Sequence, residues 1–183
     1  MAVSSSAGVR SVAVRDREPQ PTFVAPMLLT PGAVPGGEAW ALEIKWDGCR
    51  AQLRYDRRSV SLRTRNGREC SADFPELAEI ASVLGERRVT VDGELVCLDS
   101  DGRPDFARLR RRLVGAARTR PPVMLQVFDV LHLDDRSTRA LPYRERRALL
   151  PPRPSVIPSP FQIAALERHP DLSVRRSRYL LNR

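Results

Sequence analysis

Apolar residues recur with a period of two over residues 40–45, where Trp40, Leu42 and Ile44 share one face. That period belongs to a strand with one buried side. Two more strands are predicted over residues 50–55 and 60–64, joined by the charged turn Asp56-Arg57-Arg58. Asn66-Gly67 is a hairpin-turn signal. Asp73 is placed to cap a helix through Leu84, with Pro75 in the first turn and Leu77, Ile80, Ala81 and Leu84 on one face. Residues 89–98 read as a strand interrupted by Asp92-Gly93-Glu94, residues 99–102 as a turn, and residues 106–113 as a short helix crowded with arginines. The most apolar segment, residues 123–133, is predicted as a central strand, and residues 142–150 as a helix.

The ends read differently. Residues 1–21 are small, polar and charged, the composition of a flexible arm. Order is expected from Pro26-Met27-Leu28-Leu29, with a loop over residues 31–37. Five prolines between Pro151 and Pro160 exclude regular structure there, and residues 161–183 show only a weak helical pattern with much charge. The expected organisation is an arm (1–21), a folded body (22–150) and a proline-rich, degenerate tail (151–183).

A chain of 183 residues suffices for one domain with a real core. Its formal net charge of +9 favours an anionic partner, most simply a nucleic acid or nucleotide. Cys49, Cys70 and Cys97 are odd in number and far apart, so neither a zinc site nor a disulfide framework is expected, and a reducing cytoplasm fits. With only His132 and His169, a His–Cys metal centre is not expected. No apolar run approaches the roughly 20 residues of a membrane span. Arg10, Arg15 and Arg17 are followed by no apolar stretch of a secretory signal.

Within those bounds one residue stands apart. The 31 basic residues are thirty arginines and a single lysine, Lys45. Guanidinium stays protonated at ordinary pH, so arginine cannot replace a lysine that must lose its proton and attack an electrophile. Lys45 opens the hexad Lys45-Trp46-Asp47-Gly48-Cys49-Arg50. An amine attacking phosphorus needs burial to lower its pKa, glycine to let a triphosphate approach the backbone, and a cation to balance phosphate charge. Lys45, Gly48 and Arg50 have those chemical types; Asp47 orients the amine or simply makes the turn.

This hexad resembles the first motif of the covalent nucleotidyltransferases: ATP-dependent DNA ligases, RNA ligases and capping enzymes. Further pieces follow in family order. The run Arg63-Thr64-Arg65-Asn66-Gly67-Arg68-Glu69 resembles the next motif, with Arg65 as its best match. Val91-Asp92-Gly93-Glu94-Leu95 resembles the third, and residues 127–134 resemble the adenine-stacking strand, with Phe128 as platform. Tyr143-Arg144-Glu145-Arg146-Arg147 resembles the helix that follows in DNA ligases. The wording is most similar to the ligase domain of bacterial end-joining polymerase-ligase proteins.

The resemblance implies an α+β nucleotidyltransferase fold, with antiparallel sheets and flanking helices. It implies ATP and Mg2+ (or Mn2+) as cofactors and nicked or broken DNA as partner, in a monomeric, cytoplasmic, nucleoid-associated protein acting with end-joining partners. By resemblance Lys45 is the nucleophile, Phe128 the base platform and Glu94 the ribose or metal contact. Arg50 and Arg65 would meet phosphate or nick, and Glu43 the adenine edge. The motif resemblance covers residues 22–150. The family's later Glu-Gly motif and its pair of phosphate-binding lysines have no counterpart, nor does the OB-fold domain. A truncated or frameshifted ligase is therefore expected. An RNA ligase or capping-type enzyme, and an inactive basic remnant that binds nucleotide or nucleic acid, are the alternatives.

Overall fold

The computed structural model describes residues 17–28, 32, 41–115, 120–150, 161–163, 166–167 and 179–182. Alternation along β2 (Cys49–Tyr55) sets the two sides of the main sheet. Ala51, Leu53 and Tyr55 enter the apolar core, while Gln52 is buried outside that cluster. β2 pairs with β3 (Val60–Thr64) on one edge and with β4 (Val89–Cys97) on the other. β4 pairs in turn with β5 (Val123–Leu133). Beyond β5 lie β6 (Arg136–Ser137) and β7 (Phe161–Ile163), the latter parallel to β5 and the sole departure from antiparallel pairing among the described strands. A second, three-stranded sheet has the order β8 (Leu166–Glu167), β1 (Ala41–Ile44), β9 (Tyr179–Asn182).

The back of the main sheet is closed by apolar side chains from the helical segments. Phe74, Leu77 and Ile80 come from the stretch ending in α1 (Ile80–Leu84), and Leu109 comes from α2 (Phe106–Leu113). Arg112 is buried among them. Its guanidinium donates to the carbonyls of Asp73 and Pro121, pairs with Glu76 at 2.6 Å and lies 4.7 Å from the Phe74 ring centroid. One of the thirty arginines is thus spent on packing rather than on a ligand. α3 (Tyr143–Ala148) packs near β5.

β5 departs from simple alternation, and the departure matters below. Its core positions are Val123, Leu125, Val127 and Val130, with Leu133 packed against them. The spacing changes from two to three because the pairing with β4 shifts twice, between Thr90 and Val91 and between Asp92 and Gly93. Leu131 and Phe128 are the extra residues at these bulges. A bulge re-aims the side chains around it, and here Phe128 and Asp129 both reach the polar front of the sheet.

Several expectations change. The helix capped by Asp73 is instead two short 3-10 helices, Ser71–Asp73 and Pro75–Glu79, followed by α1. Phe74 stands at the start of the second without a side-chain cap, and the Asp73 carbonyl is taken by Arg112. The strand at Asp92-Gly93-Glu94 is not interrupted: β4 runs through it. Gly93 permits this, since a Cβ there would lie 2.7 Å from the Gln126 carbonyl oxygen on β5. The weak helical pattern after residue 160 gives way to β7, β8 and β9, which find partners in β5 and β1. Of the expected arm, residues 1–16 lie outside the described residues. Glu18 and Gln20 are hydrogen-bonded to the main sheet and its turn. The proline-rich run and most of the 31–37 loop also lie outside the described residues.

Candidate active site

The front of the sheet collects Arg50, Glu94 and Phe128 around β4, with Lys45 and Arg65 at its margins and Glu43 apart. Lys45 follows directly on β1 and is exposed. Asp47-Gly48 then carries the chain onto β2, passing so close to β4 that a Cβ on Gly48 would lie 2.0 Å from the Leu95 carbonyl oxygen and 2.9 Å from Glu94 Cγ. The glycine of the hexad is therefore required by strand packing, whatever approaches from solvent. Its consequence is chemical: it brings Lys45 and Glu94 into electrostatic range.

Burial falls on Glu94 rather than on the amine. Desolvation pushes the Glu94 carboxyl up to about 7, with Asp92 and Asp47 adding to the rise and Lys45 and Arg50 opposing it. A carboxylate so placed gains from any cation that arrives. No group of three or more His, Cys, Asp or Glu side chains suited to a metal exists among the described residues. A Mg2+ ion needs only one or two carboxylates when substrate phosphates complete its shell, so Glu94 fits as a single protein ligand.

Arg50 lies opposite Glu94 in the β2–β4 register. Its fork grips Asp92 through Nε (3.1 Å) and Nη2 (2.7 Å), and its Nη1 donates to the Met27 carbonyl at 2.6 Å. Burial raises the Asp92 carboxyl pKa, while the hydrogen bonds and charge of Arg50 act against that rise. The Arg50 guanidinium also sits 5.4 Å from the Phe128 ring centroid, a cation–π contact across β4. Phe128 is half-buried, which leaves it ring surface for another planar group.

Arg65 lies in the turn after β3. Its backbone N–H donates to the Arg50 carbonyl at 3.1 Å, and its side chain is exposed. Glu43 sits elsewhere in the arrangement. It is 1% exposed, accepts a hydrogen bond from the Tyr143 hydroxyl and lies 3.7 Å from Arg147 of α3. Burial first, then the Glu43 charge, holds that hydroxyl protonated far above the ordinary tyrosine range. Glu43 thereby links the lysine's strand to the helix behind Phe128, whose carbonyl Tyr143 also approaches at 3.4 Å.

Three contributors escape sequence reasoning. Asp92 is the partner that fixes Arg50. Arg146 holds Asp129 through two 2.8 Å contacts, bracing the bulge that carries Phe128. Residues 17–28 cover part of the front. The Arg-rich helix signalled α3 but not which arginine turns inward, and nothing in the sequence pairs residue 27 with residue 50. The three cysteines are free, and burial raises the thiol pKa of each.

An exposed lysine at a strand end, a desolvated glutamate beside it, and an aromatic platform on a bulged strand fit a nucleotidyltransferase domain. Comparison with known proteins agrees. The family model described as "ATP dependent DNA ligase domain" matches residues 32–174, continuing beyond the point where the recognisable motifs end. This chain belongs to that family. It is 43% identical over 129 residues to the multifunctional non-homologous end joining DNA repair protein LigD of Mycobacterium tuberculosis, an alignment covering 69% of this chain and 16% of the relative. Against LigD of Pseudomonas aeruginosa it is 34% identical over 134 residues, covering 73% and 16%. Among solved structures, the ligase domain of M. tuberculosis LigD superposes with a TM-score of 0.62 at 40% identity, covering 70% of this chain and 42% of that one. A mycobacterial DNA ligase D complexed with ATP and MES gives the same figures. The fold is thus that of the ligase nucleotidyltransferase domain, and the chain spans 16% of the length of these curated relatives. No helix among the described residues is long and apolar enough to cross a membrane.

Proposed function

We propose that this chain carries the nucleotide-binding front of an ATP-dependent DNA ligase and that Lys45 is its nucleophile. The observation that carries the reading is that the chain's single lysine, at the end of β1, lies in electrostatic range of the desolvated Glu94, on the sheet face that also holds the Arg50–Phe128 contact. The Lys45 amine, having lost a proton to solvent, attacks the α-phosphorus of ATP. A nitrogen–phosphorus bond forms, the bond to the β-phosphate oxygen breaks, and pyrophosphate leaves. Phe128 supports the adenine ring, and Glu94 holds either the ribose or a divalent ion. Mg2+ or Mn2+, when bound, supplies charge neutralisation on the phosphates. Arg65, exposed beside Arg50, faces phosphate or the DNA nick. In the complete reaction AMP then passes to a 5′-phosphate at a nick or break, and the 3′-hydroxyl displaces it. Bacterial end-joining in the cytoplasm, at the nucleoid and with partner repair proteins, is the setting this reading gives, with a monomeric chain. In the same reading residues 22–150 are the catalytic body, residues 1–21 an arm of which Glu18 and Gln20 are bound to the sheet, and residues 151–183 a tail that contributes β7, β8 and β9.

Prolonged incubation with α-labelled ATP and Mn2+, followed by denaturation, tests the nucleophile. Label stays on the wild-type chain and is lost in Lys45→Ala and in Lys45→Arg, because guanidinium does not deprotonate. Label persisting in Lys45→Ala overturns the assignment.

A further inference from the structure

The front of the sheet carries polar groups that are as buried as core residues. Thr90 is 0% exposed, His132 1%, Asp92 4% and Gln52 5%. What covers them is the segment of residues 17–28, tied down at four points. The Glu18 N–H donates to the Asp135 carbonyl, and its own carbonyl meets His132 Nε2 at 3.2 Å. Gln20 Nε2 donates to the carbonyls of Tyr55 and Val89 and to Thr90 Oγ1. Val24 and Gln52 bond reciprocally: the Val24 N–H donates to Gln52 Oε1 at 2.9 Å, and Gln52 Nε2 donates to the Val24 carbonyl at 3.1 Å. Three residues on, the Met27 carbonyl accepts from Arg50.

The first two ties lie toward the far end of the sheet. The last two lie at the site, on neighbouring positions of the same front face of β2. Between them Phe23 and Pro26 line a cleft with Arg50, Gln52, Thr64 and Arg65, and the Phe23 ring packs over Gly67 in the turn that carries Arg65. A side-chain amide that donates and accepts on one backbone residue fixes both its position and its orientation, as a neighbouring strand would. Met27 and Leu28, just beyond, are 76% and 61% exposed, so their side chains anchor nothing. The Gln52 clamp is the nearest hydrogen-bonded point that can bring the Met27 carbonyl to Arg50, with Pro26 resting in the cleft between them.

We infer that Gln52 is a positioning residue: by clamping Val24 it sets the Met27 carbonyl against Arg50 and so holds the guanidinium on Asp92 and over Phe128. Gln52 touches no reacting atom in this scheme. Its effect on nucleotide handling rests on the function proposed above, but its effect on Arg50 does not.

Nε–H exchange of individual arginines, followed by 15N NMR on the full chain, separates the two. Arg146 is the internal control, because it grips Asp129 through the same paired geometry and its third donor goes to the Leu141 carbonyl rather than to residues 17–28. Gln52→Met keeps the volume and removes both halves of the clamp. Val24→Pro removes the donor from the other side, on a segment outside the apolar core. In both, exchange at Arg50 rises about fivefold or more, the scale of one net hydrogen bond, while Arg146 is unchanged. Gln52→Glu, which keeps the acceptor for the Val24 N–H, restores part of the protection. ATP affinity, read in parallel, falls in Gln52→Met toward that of Arg50→Lys. Wild-type protein that binds no ATP would count against the proposed function alone, with the exchange comparison still decisive for Gln52. Unchanged Arg50 exchange in the folded variants, or equal loss at Arg50 and Arg146, overturns the inference.

Discussion

The two faces of the main sheet each hold an arginine in a network of partners, and they use it to opposite ends. On the back, Arg112 has a side chain 4% exposed, and its partners are two backbone carbonyls, Glu76 and the Phe74 ring. Every partner is itself part of the packing, so the network ends there. On the front, Arg50 is 24% exposed, and the same kind of fork reaches Asp92, the Met27 carbonyl and Phe128. That network continues into groups that remain available: a half-buried ring, Glu94 in the facing register, and Lys45. Similar chemistry is closed on one side and left open on the other. Counting basic residues therefore says little about ligand binding until each is followed to its partners.

The comparison fails first if the front is more complete than it looks. The sequence has no lysine besides Lys45 to hold the α-phosphate. Each lost contact of that kind costs about 100- to 1,000-fold in rate. The 183-residue chain is therefore expected to show no sealing of a nicked duplex with ATP and Mg2+ or Mn2+, while retaining DNA binding that weakens as salt is raised. Robust sealing on a denaturing gel would show that arginines had taken over the task.

A cut on the back should act on stability alone. Arg112→Ala leaves Glu76 and two carbonyls without their partner and is expected to lower unfolding stability by about 3–5 kcal/mol in a urea titration. ATP affinity per folded molecule stays unchanged. On the front the order reverses. Phe128→Ala is expected to weaken ATP binding by about 1–3 kcal/mol, on the scale of base–aromatic stacking, measured by calorimetry. If Phe128→Ala instead lowers the melting temperature and spares ATP binding, the platform belongs with the core.

The smallest effect is a slope. The folded-state pKa of Glu94, about 7, lies above the ordinary 4.5, so the folded chain holds that proton more tightly than the unfolded one. Stability from this group is complete below its unfolded pKa and is lost as pH rises through about 7. Glu94→Gln should flatten the fall in melting temperature between about pH 5 and about pH 8. An unchanged slope would mean that Glu94 is better solvated than its position on β4 implies.

Much of this face was legible before the structure, for a local reason. The hexad follows from a strand and a turn, the resemblance singles out Glu94 and Phe128, and β3, α2 and β5 begin and end where the pattern predicts, whereas the Asp-Gly-Glu run reads as a break and β4 runs straight through it. What stayed hidden depends on register. Gly48 and Gly93 are dictated by carbonyls on neighbouring strands. Phe128 and Asp129 share the front only because β5 bulges against β4. Proline and acidic residues near Asp73 suggested a capped helix, but a guanidinium from α2 took the capping carbonyl. The strands after residue 160 have no periodic signature because they are two to four residues long.

Those short strands have a consequence for the order of events during synthesis. β1, the strand that delivers Lys45, has both edges supplied from far downstream: Leu42 pairs with Glu167 on one side and with Leu181 on the other. The main sheet, by contrast, draws β2 through β6 from residues 49–137, so it can assemble while later residues are still being made. Closing so long a loop carries an entropic cost that more local pairings avoid. The sheet that carries Phe128 can therefore form before β1, the strand leading to Lys45, gains its two neighbours from residues 166–167 and 179–182.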